Sequence, residues 1–464
     1  MGLENPSASS LTTEMCQFTI LKGAAPVLAP RLGRLVLAGR KPISTPHFVP
    51  LTSRGTVAHL SHDVMRDQTS IASLYCGLED FIEKDGPAVY KVPCTAQESP
   101  LRKFICMPDE ITLVLGPRRA PPVPCPVPST NNSVSILTSV GFRQLPASEW
   151  VDAVQKLRPD IVVGMADLAT GTAAPGVKRR GKMVDRTHAY TRDATERLQR
   201  ESSSPTATTT TTTTYFAPVL PLENTEQTIY LADLESELRP AIAGLALYES
   251  ASLGVLPPAL GDLPRLVFSE PATPHEVLRD ISLGADLLTL PFVGALSDAG
   301  IALDFVFPSP SSSSASPSTS STSLPLARDL WSDTYTTDVS PLSESCNCYT
   351  CRNHHRAYLH HLLAAKEMLA WTLLQIHNHA VVDAFFAAVR ASIERETFES
   401  DIHSFARMYE PDFPDKTGQG PRYFSFHSSS SSSSSSFDIS DYAGTKSSPQ
   451  AQTRRNATQK RTVV

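Results

Sequence analysis

The chain has 464 residues, 41% hydrophobic and 19% charged, with 47 acidic against 41 basic side chains and a net charge of −6. These are globular values with room for one large domain or two. The overall charge does not point to nucleic acid, so any such contact must be local. No apolar run reaches the roughly 18 residues of a membrane span. Met1 to Glu14 has neither the apolar core of a secretory signal nor the arginine-rich character of a transit peptide.

Residues 1–15 read as a disordered lead-in. Phe18–Leu21 and Arg34–Ala38 are short apolar runs and predict strands, the second between turn residues Gly33 and Gly39. Ile43 to Val57 is a proline-framed strand that runs into a turn at Gly55. Leu60 begins a helix with Ser61 as its N-cap, and Ile71–Tyr75 is the next buried strand. Prolines crowd residues 87–132, with a near-polyproline tract at Pro121–Pro128, and this segment reads as an insert. Ser133–Thr138 recovers strand character. Pro146–Leu157 predicts a helix with Trp150, Val151, Val154 and Leu157 on one face. It leads into Asp160–Asp167, a buried strand ending in an acid.

Lys178, Arg179, Arg180 and Lys182 form a cationic cluster in a Gly/Ala-rich stretch. It reads equally as a contact for nucleic-acid phosphates and as a solvated loop. Asp185–Arg200 is a charged helix, and 201–214 a Ser/Thr-rich insert. Strands follow at Phe216–Pro221, Ala241–Glu249, Arg265–Phe268 and Asp286–Leu290, with helices at Leu231–Leu238 and Pro274–Leu283. Residues 309–323 are a Ser/Pro-rich insert, and 411–464 a disordered Ser-rich tail. Strand and helix alternate through about seven or eight strands between residues 43 and 290, without hairpin signals. That pattern predicts parallel strands with helical crossovers, an α/β (β/α)8 TIM barrel spanning 16–410 with its inserts.

Of eight cysteines, Cys16, Cys76, Cys94, Cys106 and Cys125 are scattered and suggest no disulfide framework, which favours a reducing compartment. Cys346, Cys348 and Cys351 are clustered, and a long helical run after them ends at Ile376-His377-Asn378. Three thiolates and an imidazole suit a tetrahedral zinc ion, and a site closed by four protein ligands is structural. A redox pair or chance clustering is the plainer alternative. A helix of about 25 residues spans about 37 Å, so His377 returns to the thiols only if the helix bends or the knuckle packs along it. His379 is the rival fourth ligand, on another side of the helix. His354, His355, His360 and His361 read as partly exposed helix surface. A second helix follows from His379 to Phe398, completing a zinc-binding subdomain at 340–398.

Several of these stretches together resemble one family, the tRNA-guanine transglycosylases. They are Gly33-Arg34-Leu35, Thr45-Pro46-His47-Phe48-Val49-Pro50, Gly55-Thr56-Val57, Pro159 to Asp167, Gly244 to Glu249, Thr273-Pro274-His275-Glu276 with Gly284 to Leu288, and the cysteine group with His377-Asn378. The order and spacing hold from about residue 17 to 398. The resemblance implies a TIM barrel with a zinc-bearing insertion, and it selects Cys346, Cys348, Cys351 and His377 as ligands of one structural zinc ion. It also implies a reaction. Guanine at the anticodon wobble position of tRNAs with GUN anticodons (Asp, Asn, His, Tyr) is exchanged for a deazaguanine, queuine in eukaryotes. One aspartate attacks the ribose and a second handles protons.

The departures from the family pattern are as informative. The family's nucleophile lies in Gly-x-Asp-x-Phe-Asp-Cys-x-x-Pro-Thr-Arg. Here the stretch reads Gly284-Ala285-Asp286-Leu287-Leu288-Thr289-Leu290, with Thr289 at the nucleophile's place and no Pro-Thr-Arg after it. The motif of the second aspartate, Thr-Asp-Ser-Gly-Gly-Phe-Gln, is missing. Leu137-Thr138-Ser139-Val140-Gly141-Phe142 looks similar but carries no acid. No catalytic residue is therefore assigned. The resemblance implies a non-catalytic member that forms a heterodimer with a catalytic subunit of the same fold and meets tRNA through the complex. It is expected in the cytoplasm, with any association with the mitochondrial outer membrane peripheral. Two alternatives stand beside it: an active enzyme using Asp286 as a displaced nucleophile, and a zinc-stabilised RNA-binding scaffold. Asp167 matches the acid that reads the base in catalytic relatives. Its other reading, like that of Glu249, is structural.

Overall fold

A computed structural model describes residues 16–23, 28–83, 86–95, 97–170, 174–202, 214–309 and 323–421. The lead-in at 1–15, nearly all of the stretches 201–214 and 309–323, and the tail beyond 421 lie outside the described residues. Near the N-terminus, exposed and half-buried residues alternate along β1 (Cys16–Lys22). It pairs antiparallel with β2 (Leu32–Leu37), which pairs with β3 (Ile43–Thr45). β4 (His47–Phe48) follows directly, and a small hairpin, β5 (Thr52–Ser53) with β6 (Thr56–Val57), comes next.

Seven further strands join β4 in one parallel sheet: β7 (Ser73–Gly77), β8 (Thr112–Gly116), β11 (Ile161–Val163), β12 (Thr214–Val219), β13 (Gly244–Leu247), β14 (Arg265–Val267) and β15 (Leu287–Leu288). Each pairs with the next, and β15 returns to β4 through Leu287↔His47 and Leu288↔Phe48. The remaining seam, β4 to β7, closes just past β4. Leu51 bridges to Tyr75 in parallel, and the Tyr75 N–H donates to the Pro50 carbonyl at 2.9 Å. The strands are buried on both faces, as closed parallel sheets require. Val114, Ile161, Val163, Phe216, Ala246, Leu266 and Leu287 form one cluster with Leu35, Leu37 and Ile43 from β2 and β3. This is the expected (β/α)8 architecture.

Three local expectations are overturned. β8 lies inside the stretch 87–132 that reads as an insert, yet it is a fully buried barrel strand. The proline density surrounds it without entering it. Ser133–Thr138 is a strand, β9, but not of the barrel. It pairs antiparallel with β10 (Gly141–Pro146). Gly141 takes φ +122° at the turn and the Thr138 hydroxyl donates to its carbonyl, so a hairpin interrupts the alternation. The basic stretch is not a loop. The charged helix begins at its edge and runs Val177–Ser202.

The helices are α1 (His62–Gln68), α2 (Pro100–Phe104), α3 (Ala147–Leu157), α4 (Val177–Ser202), α5 (Asn224–Glu235), α6 (Pro274–Ser282) and α7 (Pro291–Asp298). After α7, β16 (Ile301–Leu303) pairs antiparallel with β17 (Ala327–Asp329). The expected single helix between Cys351 and His377 is instead three: α8 (Tyr349–Asn353), α9 (Arg356–Ala365) and α10 (Met368–Glu394), followed by α11 (Phe398–Met408). The first break has extended backbone at His354 and His355, with the His355 side chain accepting from the Tyr358 N–H as an N-cap. The second has Lys366 in the left-handed region at φ +59°. α10 then runs unbroken through 377–379, so the helix predicted to begin at His379 is the second half of this one. α10 is 27 residues long, about 40 Å, and packs on α7, α8, α9 and β16. Towards its C-terminal end, Phe386 stacks on Phe48 of β4 and Arg390 donates to the Pro46 carbonyl.

Candidate metal centre and barrel mouth

The breaks in the helical run turn the chain back and lay α8 against α10. Cys348 is the N-cap of α8, its sulfur accepting from the Cys351 N–H, and the buried Thr350 hydroxyl donates to the Leu373 carbonyl of α10 at 2.7 Å. The sulfurs of Cys346, Cys348 and Cys351 and a ring nitrogen of His377 then all lie within 4.8 Å of one another. His377 Nδ1 stands 3.3 Å from Cys351 Sγ and 3.7 Å from Cys348 Sγ.

The surroundings orient the imidazole. Its Nε2 lies 2.8 Å from the Leu303 carbonyl at the end of β16. A carbonyl only accepts, so Nε2 carries a proton, and Nδ1 is the nitrogen that faces the sulfurs. Fixing a ligand ring through its other nitrogen is characteristic of metal-binding histidines. The next residue ties the same strand: Asn378 Oδ1 accepts from the Leu303 N–H, and its Nδ2 donates to the Ile301 carbonyl and the Ser297 hydroxyl. Burial by itself would lower the His377 pKa. Hydrogen bonds with the Cys346 and Cys348 sulfurs outweigh it and lift the value to about 9. Those of Cys346 and Cys351 hold the Cys348 thiol far below its usual range. Without an ion the four groups compete for protons, and a cation would replace them.

His379 is brought elsewhere. It is buried against Phe48 and Gln375, and burial lowers its pKa to about 4. Two residues along a helix is about 200° of rotation, which removes it from the sulfurs. The other histidines of the run serve structure. His355 caps α9, His354 stacks on Tyr358, and His360 bonds the Leu330 carbonyl.

At the barrel mouth, where strands end at their carboxyl sides, the acids that follow β7 and β11 are bound by arginines and backbone N–H groups. Thr289, at the nucleophile's place, is fully buried, and its hydroxyl has no hydrogen-bond partner among the described residues. Asp286 lies before β15, at the opposite end of the barrel. Both its oxygens accept from Arg31, at 2.9 and 2.5 Å, and Oδ2 also accepts from the Arg265 N–H. Arg31 is held in turn by the Gly261 and Leu263 carbonyls. A carboxylate sealed in that way cannot serve as a displaced nucleophile at the mouth.

Asp167 follows β11 and is fully buried. Arg179 grips its two oxygens at 2.5 and 2.6 Å and Arg186 adds a third bond at 3.0 Å, both from α4. Burial would raise its pKa, but these bonds hold the carboxyl below the usual range. Arg180 pairs with Glu226. Of the basic cluster, Lys178 and Lys182 are the exposed members. After β7, Glu79 accepts from the Arg119 and Leu137 N–H groups, and Asp80 pairs with Arg119. The strand occupying the expected place of the missing motif, β8, runs into Pro117-Arg118-Arg119, cations rather than an acid. A cavity of about 740 Å³ remains, with Tyr248 stacked on Phe268 and with Glu249 and Glu270 in its lining. The clamps at Asp167 and Asp286 leave no local trace in sequence, because each joins residues distant along the chain or hidden in an ordinary charged helix.

A closed parallel barrel with a Cys3His group on an appended helical subdomain defines a TIM-barrel protein with a candidate metal centre. Among families, the profile of queuine tRNA-ribosyltransferase matches residues 28–411, and the chain belongs to that family. Similar relatives include the queuine tRNA-ribosyltransferase accessory subunit 2 of Schizosaccharomyces pombe, 36% identical over 83% of this chain and 83% of its own. The proteins of the same name from Gallus gallus and Homo sapiens are each 27% identical. They cover 80% and 79% of this chain and 92% and 94% of their own. Among the described residues no helix is long and apolar enough to cross a membrane.

Proposed function

We propose that this chain is the non-catalytic subunit of a queuine tRNA-ribosyltransferase. It pairs with a catalytic subunit of the same family and supports exchange of guanine for queuine at the wobble position of tRNAs with GUN anticodons. The observation that carries this reading is Thr289. At the nucleophile's place stands a buried hydroxyl with no hydrogen-bond partner among the described residues, and a threonine hydroxyl without a base is a poor nucleophile. The names of the relatives support the pairing. Cys346, Cys348, Cys351 and His377 hold one zinc ion. Three thiolates and an imidazole are a donor set typical of structural zinc, and four protein ligands leave no open position for catalysis. The ion fixes α8 against α10 and so shapes the surface of this subdomain. Unpaired cysteines throughout suit a reducing compartment, and the reading places the protein in the cytoplasm, with any contact with the mitochondrial outer membrane peripheral.

The test is base exchange with labelled guanine. The purified chain alone should incorporate none into tRNA, and adding the catalytic subunit should give incorporation above that subunit's own level. Incorporation by the chain alone would reject the reading. Elemental analysis should find one zinc per chain.

A further inference from the structure

Beside the metal knuckle, with Cys346 and Cys348 at one side of its lining, runs a groove of about 570 Å³ apart from the barrel mouth. It is within the roughly 300–1,000 Å³ typical of binding clefts. Phe305, Phe307, Val381 and Phe385 give it one apolar wall, Asp67, Ser70, Asn347 and Arg352 are polar members of its lining, and Val306 and Tyr349 are each 38% exposed. One charged group from α10 lines it: Asp383. Its Oδ2 accepts from the Ser70 hydroxyl, but Oδ1 is buried with no hydrogen-bond partner among the described residues. The cation that influences it, Arg390, donates instead to the Pro46 carbonyl.

Asp383 is half-buried with its Oδ1 unpartnered, an arrangement that an incoming cation would relieve, and burial pushes its pKa up to about 6. A guanidinium or ammonium on an aliphatic stem fits this arrangement. The methylenes would lie along the phenyl rings while the head group reaches the carboxylate. Nucleic acid does not fit, because a phosphate brought beside Asp383 would be repelled. A macromolecule seated on the metal subdomain would cover the exposed Val306 and Tyr349 together with the groove.

We propose that this groove receives an arginine or lysine side chain of the partner polypeptide, with Asp383 accepting its charge. The proposal rests on the accessory-subunit reading, since it takes the catalytic subunit as that partner.

The experiment measures the affinity of the full-length chain for the catalytic subunit. Asp383→Asn keeps the shape and removes the charge. It should weaken pairing at least tenfold, while zinc content is unchanged and the thermal midpoint of the free chain stays level or rises. A merely structural acid would move stability and leave pairing alone. Asp383→Lys should abolish pairing, and an Arg→Glu or Lys→Glu change at the matching partner position should restore it. Ala384→Arg, at an exposed position in the same lining, places the chain's own guanidinium in the groove without touching Asp383. It should block pairing even if the Asp383 variants fold poorly. Unchanged affinity in a folded Asp383→Asn or Ala384→Arg chain overturns the proposal while leaving the accessory-subunit reading intact. Failure of the wild-type chain to pair would overturn that reading and, with it, this proposal.

Discussion

At the Cys346–His377 group, polar atoms are turned toward a common point, whereas at the barrel mouth they are turned toward each other. The Leu303 carbonyl sets the proton on His377, and Asn378 fastens the same strand, so the donor atoms are oriented before any ion arrives. Across the barrel end, Asp167 is held by two arginines, Asp80 by Arg119, and the Thr289 hydroxyl is buried with no hydrogen-bond partner among the described residues. The contrast teaches that a fold can keep the shape around a site while its charges are absorbed into packing. A buried acid fully satisfied by guanidinium groups has no bonding capacity left for a ligand.

The largest test of the contrast is removal of the metal. Chelation or Cys348→Ala should release α8 and α9 from α10 and abolish pairing, because structural zinc contributes on the order of 10 kcal/mol in small metal domains. Hydrogen exchange should show the largest loss in the metal subdomain and a smaller one at β4, where α10 is tied to the barrel. Intact pairing in metal-free protein would break the comparison. Next comes the joint change Arg179→Ala with Arg186→Ala. It strands the buried Asp167 charge and should cost about 3–5 kcal/mol in denaturant unfolding, yet confer no base exchange. Asn378→Ala orphans the Leu303 N–H and the Ile301 carbonyl and removes the bond that the Ser297 hydroxyl accepts, while that hydroxyl still donates to the Val293 carbonyl. It should cost about 3 kcal/mol and weaken zinc binding, as read by competition with a chelator.

A pH effect is smaller. Asp338, accepting from the Ser340 N–H and from Arg356, has its pKa lowered to about 2. Its folded value lies below the unfolded value of about 3.9, so its contribution is full above about pH 4 and disappears as pH falls toward 2. In the metal-loaded protein, Asp338→Asn should flatten the acid limb of the stability curve in that window. Smallest of all, Thr289→Val removes an unpartnered buried hydroxyl and should change stability by less than about 1 kcal/mol, with no change in the activity of the complex. A large loss of activity would mean the threonine does chemistry after all.

The barrel was legible because its strands are continuous apolar runs separated by helical patterns. β8 was hidden by flanking prolines. The β9–β10 hairpin was hidden because Thr138-Ser139-Val140-Gly141 has none of the Asn-Gly or Asp-Gly signals of a tight turn. The cysteine spacing exposed three donors without any structure. Choosing His377 over His379 needed either the resemblance or the helix phase. The breaks at His354-His355 and Lys366 carry no glycine or proline, and only tertiary packing on α10 explains them. The arginine clamps were illegible for the same reason: a contact such as Arg31 with Asp286 spans 255 positions.

One helix joins the two regions. α10 carries His377 in its first half and, some turns later, grips β4 through Phe386 and the Pro46 carbonyl. It therefore acts as a tie rod, held at one end by the Cys3His group and at the other by the barrel's first strand. Loosening either hold should be felt at the other end, so a probe on β4 would report the loading state of the metal site.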